Sequence, residues 1–167
     1  MQNFLKSKNY WFFYLLFSLF LEIVALFYQY FLDYYPCVLC IHVRIILLAM
    51  MLLSITTFIF YSKIYLRIVS HIFLLLLLFL LVDRSYNLLG VERGFVLGDC
   101  SMNSGLPTWF AIDQWLPSVF KIWEPCGYTP EILFGITMAE SLMVLSIVLA
   151  AIGIKAFLLE LKSVKNV

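Results

Sequence analysis

Two cysteines at a three-residue spacing, Cys37 and Cys40, are the residues of this sequence best placed to do chemistry. Pro36 fits the first position of a helix, where a missing N–H costs nothing, so both cysteines are expected on one face of the first turn. The free N–H groups and the dipole at that helix end stabilise a thiolate, and Arg44, one turn after Cys40, adds a fixed positive charge. Because the thiolate is the reactive form of cysteine, this pattern predicts thiol–disulfide exchange.

The composition of the chain excludes a water-soluble domain. Hydrophobic residues make up 64% of the 167 residues and charged residues 13%, and the mean hydropathy is +1.00. Soluble domains are about half apolar and about one quarter charged. The net charge of +1 provides no basic field for nucleic acid, and the length, 1–167, predicts a single domain.

Four apolar segments are long enough to be membrane spans, since a helix needs roughly 20 mostly apolar residues to cross a bilayer. The first follows Lys6 and Lys8, as a signal peptide would, but its apolar run is too long, Glu22 interrupts it and no small-residue cleavage site follows. The sequence therefore predicts an all-α integral membrane protein, a four-transmembrane-helix bundle with one short and one long loop. The predicted spans are residues 10–32, 41–61, 64–82 and 132–154, and the long loop is about 83–131.

The distribution of Lys and Arg predicts the orientation of the bundle. Short segments rich in these residues stay in the cytoplasm, so both termini are expected there and both loops outside. All four cysteines then fall on the external side, where disulfides form and persist. Seven of the eleven basic residues lie on the predicted cytoplasmic side: Lys6, Lys8, Lys63, Arg67, Lys155, Lys162 and Lys165.

Structural roles for the cysteine pair stay open on the residues alone. A structural zinc site needs four ligands, but Cys100 and Cys126 are too widely spaced for a second zinc-binding pair, and His42 is the only external histidine. A buried structural pair is less expected at a membrane surface beside an arginine. Arg44 itself has an alternative role as an ordinary interfacial anchor whose charged end reaches the headgroups.

Several sequence motifs together resemble the DsbB family of quinone-coupled disulfide oxidases. One is the run PCVLCI from Pro36 with Arg44 after it, and another is LEIVAL from Leu21 with Gln29 after it. A third is LPTW from Leu106, followed by DQWLP from Asp113 and by Val119-Phe120, with Cys100 and Cys126 bracketing that stretch. The vitamin K epoxide reductase family also has four-helix cores and two cysteine pairs, but there the loop pair precedes the Cys-x-x-Cys. The order here favours DsbB.

This resemblance implies a role for each cysteine. Cys100 would be attacked by a reduced periplasmic thiol oxidase similar to DsbA, and the released Cys126 would then engage Cys37. Cys40 would face a quinone, ubiquinone or menaquinone, as a thiolate, with Arg44 holding the quinone and Gln29 lining its pocket. The resemblance also implies a location in the bacterial inner membrane, in contact with lipid, with the cysteine pairs in the periplasm.

The sequence departs from familiar members of that family at a few positions. His42 and Val43 stand where a Tyr-Glu pair is often found, and the stretch of residues 96–99 lacks the prolines common there. His71 lies at the cytoplasmic end of the third span, so it is not expected to contact the quinone. These departures leave the cysteine relay intact and concern the fit to the soluble partner.

Two further features of the sequence bear on function. Apolar residues recur at three- and four-residue spacing in the long loop, which is typical of a short interfacial helix broken at Pro117, although a loop packed on the helix ends is the alternative. Glu22 and Glu140 fall within predicted spans, where acids are functional candidates; we favour neutral, hydrogen-bonded packing residues over a proton relay. The apolar loop residues are Ile112, Trp115, Leu116, Val119 and Phe120.

Two competing functions also fit the residues. In one, the chain is a membrane scaffold or small transporter whose disulfides only stabilise the external loops. In the other, the external residues form a metal site. The combination of thiols, Arg44 and an aromatic interface favours the quinone-dependent thiol oxidase over both.

Overall fold

The computed structural model describes residues 7–96, 105–107, 110–133 and 135–165. Within these ranges four helices are long and apolar enough to cross a membrane, which confirms the predicted all-α four-helix membrane bundle. Two single-turn helices and two short strands lie between the third and fourth of these long helices. In chain order the elements are α1 (Lys8–Phe31), α2 (Val38–Ile59), α3 (Ile64–Arg93), α4 (Ile112–Trp115), α5 (Pro117–Phe120), β1 (Glu131–Leu133), β2 (Ile136–Thr137) and α6 (Met138–Lys165).

The helices pack as neighbours in the pairs α1–α2, α2–α3 and α3–α6, and α2 is the most buried of the four. We call the end of the bundle where α2 and α6 begin and α1 and α3 finish the cysteine end. At the opposite end, Arg67 of α3 and Glu160 of α6 form an ion pair of 2.8 Å. His71 is buried beside them against Tyr10 and Trp11, so it lies far along the bundle from the cysteines, as predicted.

The start of α2 is fixed by a sulfur atom. Cys37 is the N-cap of the helix, with an extended backbone, and its Sγ accepts a hydrogen bond of 3.4 Å from the N–H of Cys40. The helix therefore begins at Val38, and Pro36 precedes the cap instead of occupying the first helical position that the sequence predicts. The cap still leaves both sulfur atoms at the N-terminal end of the helix, where its dipole favours negative charge.

Helix α3 continues well past the predicted end of its span at Val82. The apolar run stops there, but the buried stripe goes on through Ser85 and Leu88 at helical spacing, and this packing keeps the more polar continuation helical. The helix ends before Gly94, whose φ of 76° only glycine adopts freely. As a result, residues 83–93 of the predicted loop belong to the bundle.

Helix α6 begins at Met138, later than the predicted residue 132. Before it, Glu131–Leu133 and Ile136–Thr137 form the antiparallel pair β1–β2. A reciprocal cap then starts the helix: the N–H of Glu140 donates to Thr137 Oγ1 at 3.3 Å, and the N–H of Thr137 donates to Glu140 Oε2 at 3.1 Å. This capping box satisfies two N–H groups that would otherwise lack partners.

The predicted interfacial helix is present as two single turns, α4 and α5, joined at Leu116. Leu116 has φ −130° and ψ 66°, outside the helical region, because the ring of the following Pro117 disfavours helical backbone at the residue before it. Ile112 and Phe120 are buried against the bundle, whereas Trp115 is 62% exposed. The inner side of the segment therefore packs on the helix ends, as in the alternative expectation, while Trp115 on its outer side is exposed.

Candidate functional site

The cysteine pair lies at the surface end of α2 with its sulfur atoms 3.0 Å apart. Cys37 is buried and Cys40 partly buried. The sulfur cap of α2 places Cys37 just before the first turn and Cys40 within it. Two sulfur atoms at this distance are in direct contact and can exchange a proton or close a disulfide with little movement.

A third predicted cysteine, Cys126, reaches the same place from the segment after α5. It packs against the cluster that contains Cys37, Val38 and Ile41 and hydrogen-bonds to the Cys37 side chain. The N–H of Trp123 donates to the carbonyl of Pro36 at 3.1 Å, which ties this segment to the start of α2. The structure therefore brings three of the four predicted cysteines together, and Cys100 lies outside the described residues.

Cys37 is the cysteine that stays protonated. The hydrogen bond with Cys126 lowers the pKa of the Cys37 thiol, but the hydrogen bond with Cys40, burial and the negative charge of Cys40 outweigh it and raise the pKa to about 12. Burial acts in this direction because it disfavours the charged form. Negative charge on the pair therefore belongs to Cys40, the member nearer Arg44.

Arg44 is buried, and three hydrogen bonds hold its guanidinium. One terminal nitrogen donates to Gln29 Oε1 and to the carbonyl of Val119, both at 2.6 Å, and the other donates to the carbonyl of Ala25 at 3.1 Å. These bonds use three of the five N–H donors of the group. An interfacial anchor would extend its charged end toward water, so this geometry opposes an anchoring role for Arg44.

Gln29 positions Arg44 and is not among the residues that line the cleft beside the cysteine pair. Its side chain is buried; its oxygen accepts from Arg44 and its nitrogen donates to the carbonyl of Ser118 at 3.0 Å. The hydroxyl of Tyr30 donates to the same carbonyl at 2.6 Å. The expected role of Gln29 in the pocket wall is thus replaced by a bridging role between α1, α2 and α5.

The cleft beside the cysteine pair has a cavity volume of about 130 Å³. Apolar residues of α1, α2 and α6 line it, together with the loop 34–37 and the segment 124–132. Its thiol and charged lining groups are Cys37, Cys40, Arg44 and the exposed Glu124. An apolar cleft with a few converging polar groups is the usual form of a site for a small organic molecule.

The two acids in the predicted spans have different surroundings. Glu140 lies in the first turn of α6, pairs with Arg93 and completes the capping box, which agrees with a hydrogen-bonded structural role. Both carboxyl oxygens of Glu22 are buried with no hydrogen-bond partner among the described residues. The expectation of a hydrogen-bonded packing role is therefore wrong for Glu22.

One pair of polar residues at the site was missed from the sequence. Thr129, three residues after Cys126, is buried; its hydroxyl donates to the Glu92 carboxylate and accepts from the N–H of Ala139 at 3.4 Å. These contacts fix the segment that carries Cys126 to α3 and α6. Within the described ranges no group of three or more His, Cys, Asp or Glu residues has an arrangement that could hold a metal ion.

Comparison with known proteins gives a consistent result. The family model described as "Disulfide bond formation protein DsbB" matches residues 7–156. A protein named Disulfide bond formation protein B from Shewanella frigidimarina (strain NCIMB 400) is 28% identical over 166 residues, which cover 99% of this chain and 98% of that protein. A protein of the same name from Haemophilus influenzae (strain ATCC 51907 / DSM 11121 / KW20 / Rd) is 26% identical over 155 residues, 87% of this chain and 82% of its own.

Proposed function

This multi-pass membrane protein belongs to the DsbB family of disulfide bond formation proteins, and from this we propose that it reoxidises a DsbA-like thiol oxidase and delivers the electrons to a membrane quinone. The observation that carries the proposal is the position of Cys37, which contacts Cys40 on one side and Cys126 on the other. That arrangement suits a relay in which one disulfide is passed between two pairs.

The relay follows from the chemistry of thiol exchange. A thiolate of the partner attacks Cys100, the Cys100–Cys126 bond breaks, and Cys126 leaves as a thiolate. Cys126 then attacks Cys37, the Cys37–Cys40 bond breaks, and Cys40 keeps the electron pair. The second thiol of the partner attacks its bond to Cys100, which closes the partner's disulfide and releases Cys100. Cys100 then attacks Cys126, which re-forms the Cys100–Cys126 bond and releases Cys37 as a thiol. A thiol that ionises easily is the better leaving group, and Cys40 is that thiol because Cys37 holds its proton more tightly.

The residues of the cleft fit a quinone. A bound quinone would supply the two-electron oxidation that closes the Cys37–Cys40 bond again. Arg44 would hold an oxygen acceptor with the donors that its three protein contacts leave available, and the apolar wall would exclude water from the thiolate. Either ubiquinone or menaquinone matches these features.

We place the protein in the bacterial inner membrane with the cysteine end in the periplasm. The basic residues Lys8, Lys63 and Arg67 and the final turns of α6 all belong to the opposite end of the bundle, as the preference of Lys and Arg for the cytoplasmic side requires. In the periplasm the cysteine pairs would meet a soluble partner under conditions in which disulfides persist.

The experiment is an anaerobic assay with purified protein, a reduced thioredoxin-like periplasmic oxidase and soluble ubiquinone or menaquinone. Quinone absorbance and partner thiols are followed together for wild type, Cys40→Ser and the matched control Ser62→Ala, a serine in the turn between α2 and α3. We expect one quinone reduced for each partner disulfide formed in wild type and the control, and neither reaction in Cys40→Ser.

The alternative is a scaffold whose disulfides only staple its loops. That function predicts a wild type that reduces neither quinone, and partner thiols that persist at the same level in all three proteins. Joint replacement of Cys100 and Cys126 by serine would then lower the stability of the loops and leave quinone absorbance and partner thiols unchanged.

A further inference from the structure

Glu22 is a buried ionisable group that the relay does not use. It lies in the middle of α1, and neither carboxyl oxygen has a hydrogen-bond partner among the described residues. A buried polar group without a partner costs free energy, and a charged one costs much more. A residue placed at that cost in the membrane interior is a functional candidate by default.

The charge that faces Glu22 belongs to Arg44. Glu22 precedes Ala25 and Gln29, the two α1 residues that bind Arg44, by three and seven positions, so all three share one face of the helix. Arg44 and Glu22 accordingly interact electrostatically. Arg44 also interacts electrostatically with Cys40. Its single positive charge therefore faces two acidic groups, the Glu22 carboxyl and the Cys40 thiol.

Among the described residues, other ionisable groups line the cleft beside this cluster: the exposed Glu124, and Tyr28, Tyr34, Tyr35 and Tyr128. Tyr30 on α1 and Cys37 before α2 also interact with Arg44, and Cys126 interacts with Cys40. On α3 and α6, Arg67 pairs with Glu160 at the opposite end of the bundle, and Arg93 pairs with Glu140 at the cysteine end.

We propose that Glu22 and Cys40 hold one negative charge between them opposite Arg44, so that Glu22 takes up a proton when Cys40 becomes a thiolate. In a medium of low polarity one positive charge stabilises one negative charge, and a second would be left uncompensated. When Cys40 is in a disulfide, Glu22 is the carboxylate that balances Arg44. When the disulfide opens, the charge moves to Cys40 and Glu22 becomes neutral. This role rests on the proposed function for its place in the reaction cycle.

The protons balance. Oxidation of the two thiols of the partner to a disulfide releases two protons and two electrons. After the electrons reach the Cys37–Cys40 pair, one proton is on Cys37 as a thiol, and Cys40 carries the negative charge. The second proton is the one that Glu22 accepts. Glu22 is thus a positioning residue for charge, acting on Cys40 through Arg44 and not by contact with the reacting sulfur.

The test measures the ionisation of Cys40 in the full chain, with no partner or quinone present. In a background of Cys37→Ser, Cys100→Ser and Cys126→Ser, Cys40 is the only cysteine, and its rate of alkylation by iodoacetamide is measured against pH. Adding Glu22→Gln removes the competing acid, and we expect the alkylation transition to move to lower pH by about one unit, a roughly tenfold higher thiolate-to-thiol ratio at fixed pH. Glu22→Asp, which keeps the carboxyl group, and Glu140→Gln, which changes an acid elsewhere, should both titrate like the background.

A second measurement does not depend on the folding of the Gln variant. The infrared difference spectrum of wild type, reduced minus oxidised, should gain a protonated carboxyl band that shifts in Glu22→Asp. The proposal is overturned by an unmoved or raised alkylation transition in Glu22→Gln, or by a spectrum without that band. A wild type that reduces no quinone would instead overturn the proposed function, and the titration would still decide the role of Glu22.

Discussion

Arg44 of α2 donates a hydrogen bond of 2.6 Å to the main-chain carbonyl of Val119 in α5. The same nitrogen binds Gln29 of α1, so one guanidinium joins two membrane helices to the segment that leads to Cys126. Since Arg44 also lines the cleft beside Cys40, the placement of this segment and the shape of the cleft depend on the same side chain.

Arg44→Lys is expected to weaken quinone binding and to loosen the contacts that hold α5 against α1 and α2. A lysine ammonium keeps the charge but cannot reproduce the planar set of donors that reaches Gln29, Val119 and Ala25 at once. The loss of one hydrogen bond to a charged group, about 1.5–3 kcal/mol, predicts a KM for quinone raised about tenfold or more. Steady-state assays over a range of quinone concentrations measure this, with Arg84→Lys, an arginine that pairs with its neighbour Asp83, as the matched control. Equal KM values in the two variants would contradict the role given to Arg44.

Gln29→Leu should loosen α5 without removing a charge. The change leaves Arg44 without one acceptor and Ser118 without one donor, and each buried polar group left unpaired costs about 1–3 kcal/mol. We expect amide hydrogen exchange of residues 110–120 to become about tenfold faster, while exchange in α3 stays the same. Tyr30→Phe is the control, because it removes the other bond to Ser118 and spares Arg44. If the control loosens the segment as much as Gln29→Leu does, the bridge through Arg44 is not what holds α5.

Cys37 should react slowly with alkylating agents in the reduced protein. Its pKa is raised from 9.0 to about 12, and because the folded value lies above the unfolded one, the buried thiol stabilises the fold below about pH 9 and loses that contribution as the pH rises toward 12. At pH 8 the thiolate fraction, and with it the alkylation rate, should be roughly a thousandfold below that of the same cysteine in the unfolded chain. Differential alkylation with mass spectrometry reads Cys37 and Cys40 separately. Equal rates at the two cysteines would be the contrary result.

The sequence predicted the parts of this protein that local patterns encode. The four spans follow from apolar runs long enough for a bilayer, and the Cys37–Cys40 pair follows from its spacing and position before α2. The extension of α3 to Arg93 was not predicted because hydropathy stops at Val82, whereas the buried stripe, which continues through Ser85 and Leu88, depends on what the helix packs against.

Contacts to main-chain carbonyls account for most of what the sequence did not predict at the site. Arg44 binds the carbonyls of Ala25 and Val119, and any residue at those positions would offer the same acceptor. The pairing of Thr129 with Glu92 joins residues 37 positions apart and has no local pattern. By contrast, the start of α6 was available from the Thr-x-x-Glu capping box at Thr137.

Thr129→Val should slow the transfer between Cys126 and Cys37. Valine has the shape of threonine but lacks the hydroxyl that binds the Glu92 carboxylate and the N–H of Ala139. A half-buried acceptor and a buried donor therefore lose their partner, at about 1–3 kcal/mol in stability. The segment that carries Cys126 is then held less firmly against Cys37, and we expect quinone reduction at saturating partner and saturating quinone to fall about tenfold. Thermal unfolding and steady-state assays measure the two effects. Thr56→Val is the matched control, an exposed threonine that bonds only to the carbonyl of Leu53 in its own helix. A variant that is less stable than wild type but just as fast would show that Thr129 holds the fold together without positioning Cys126.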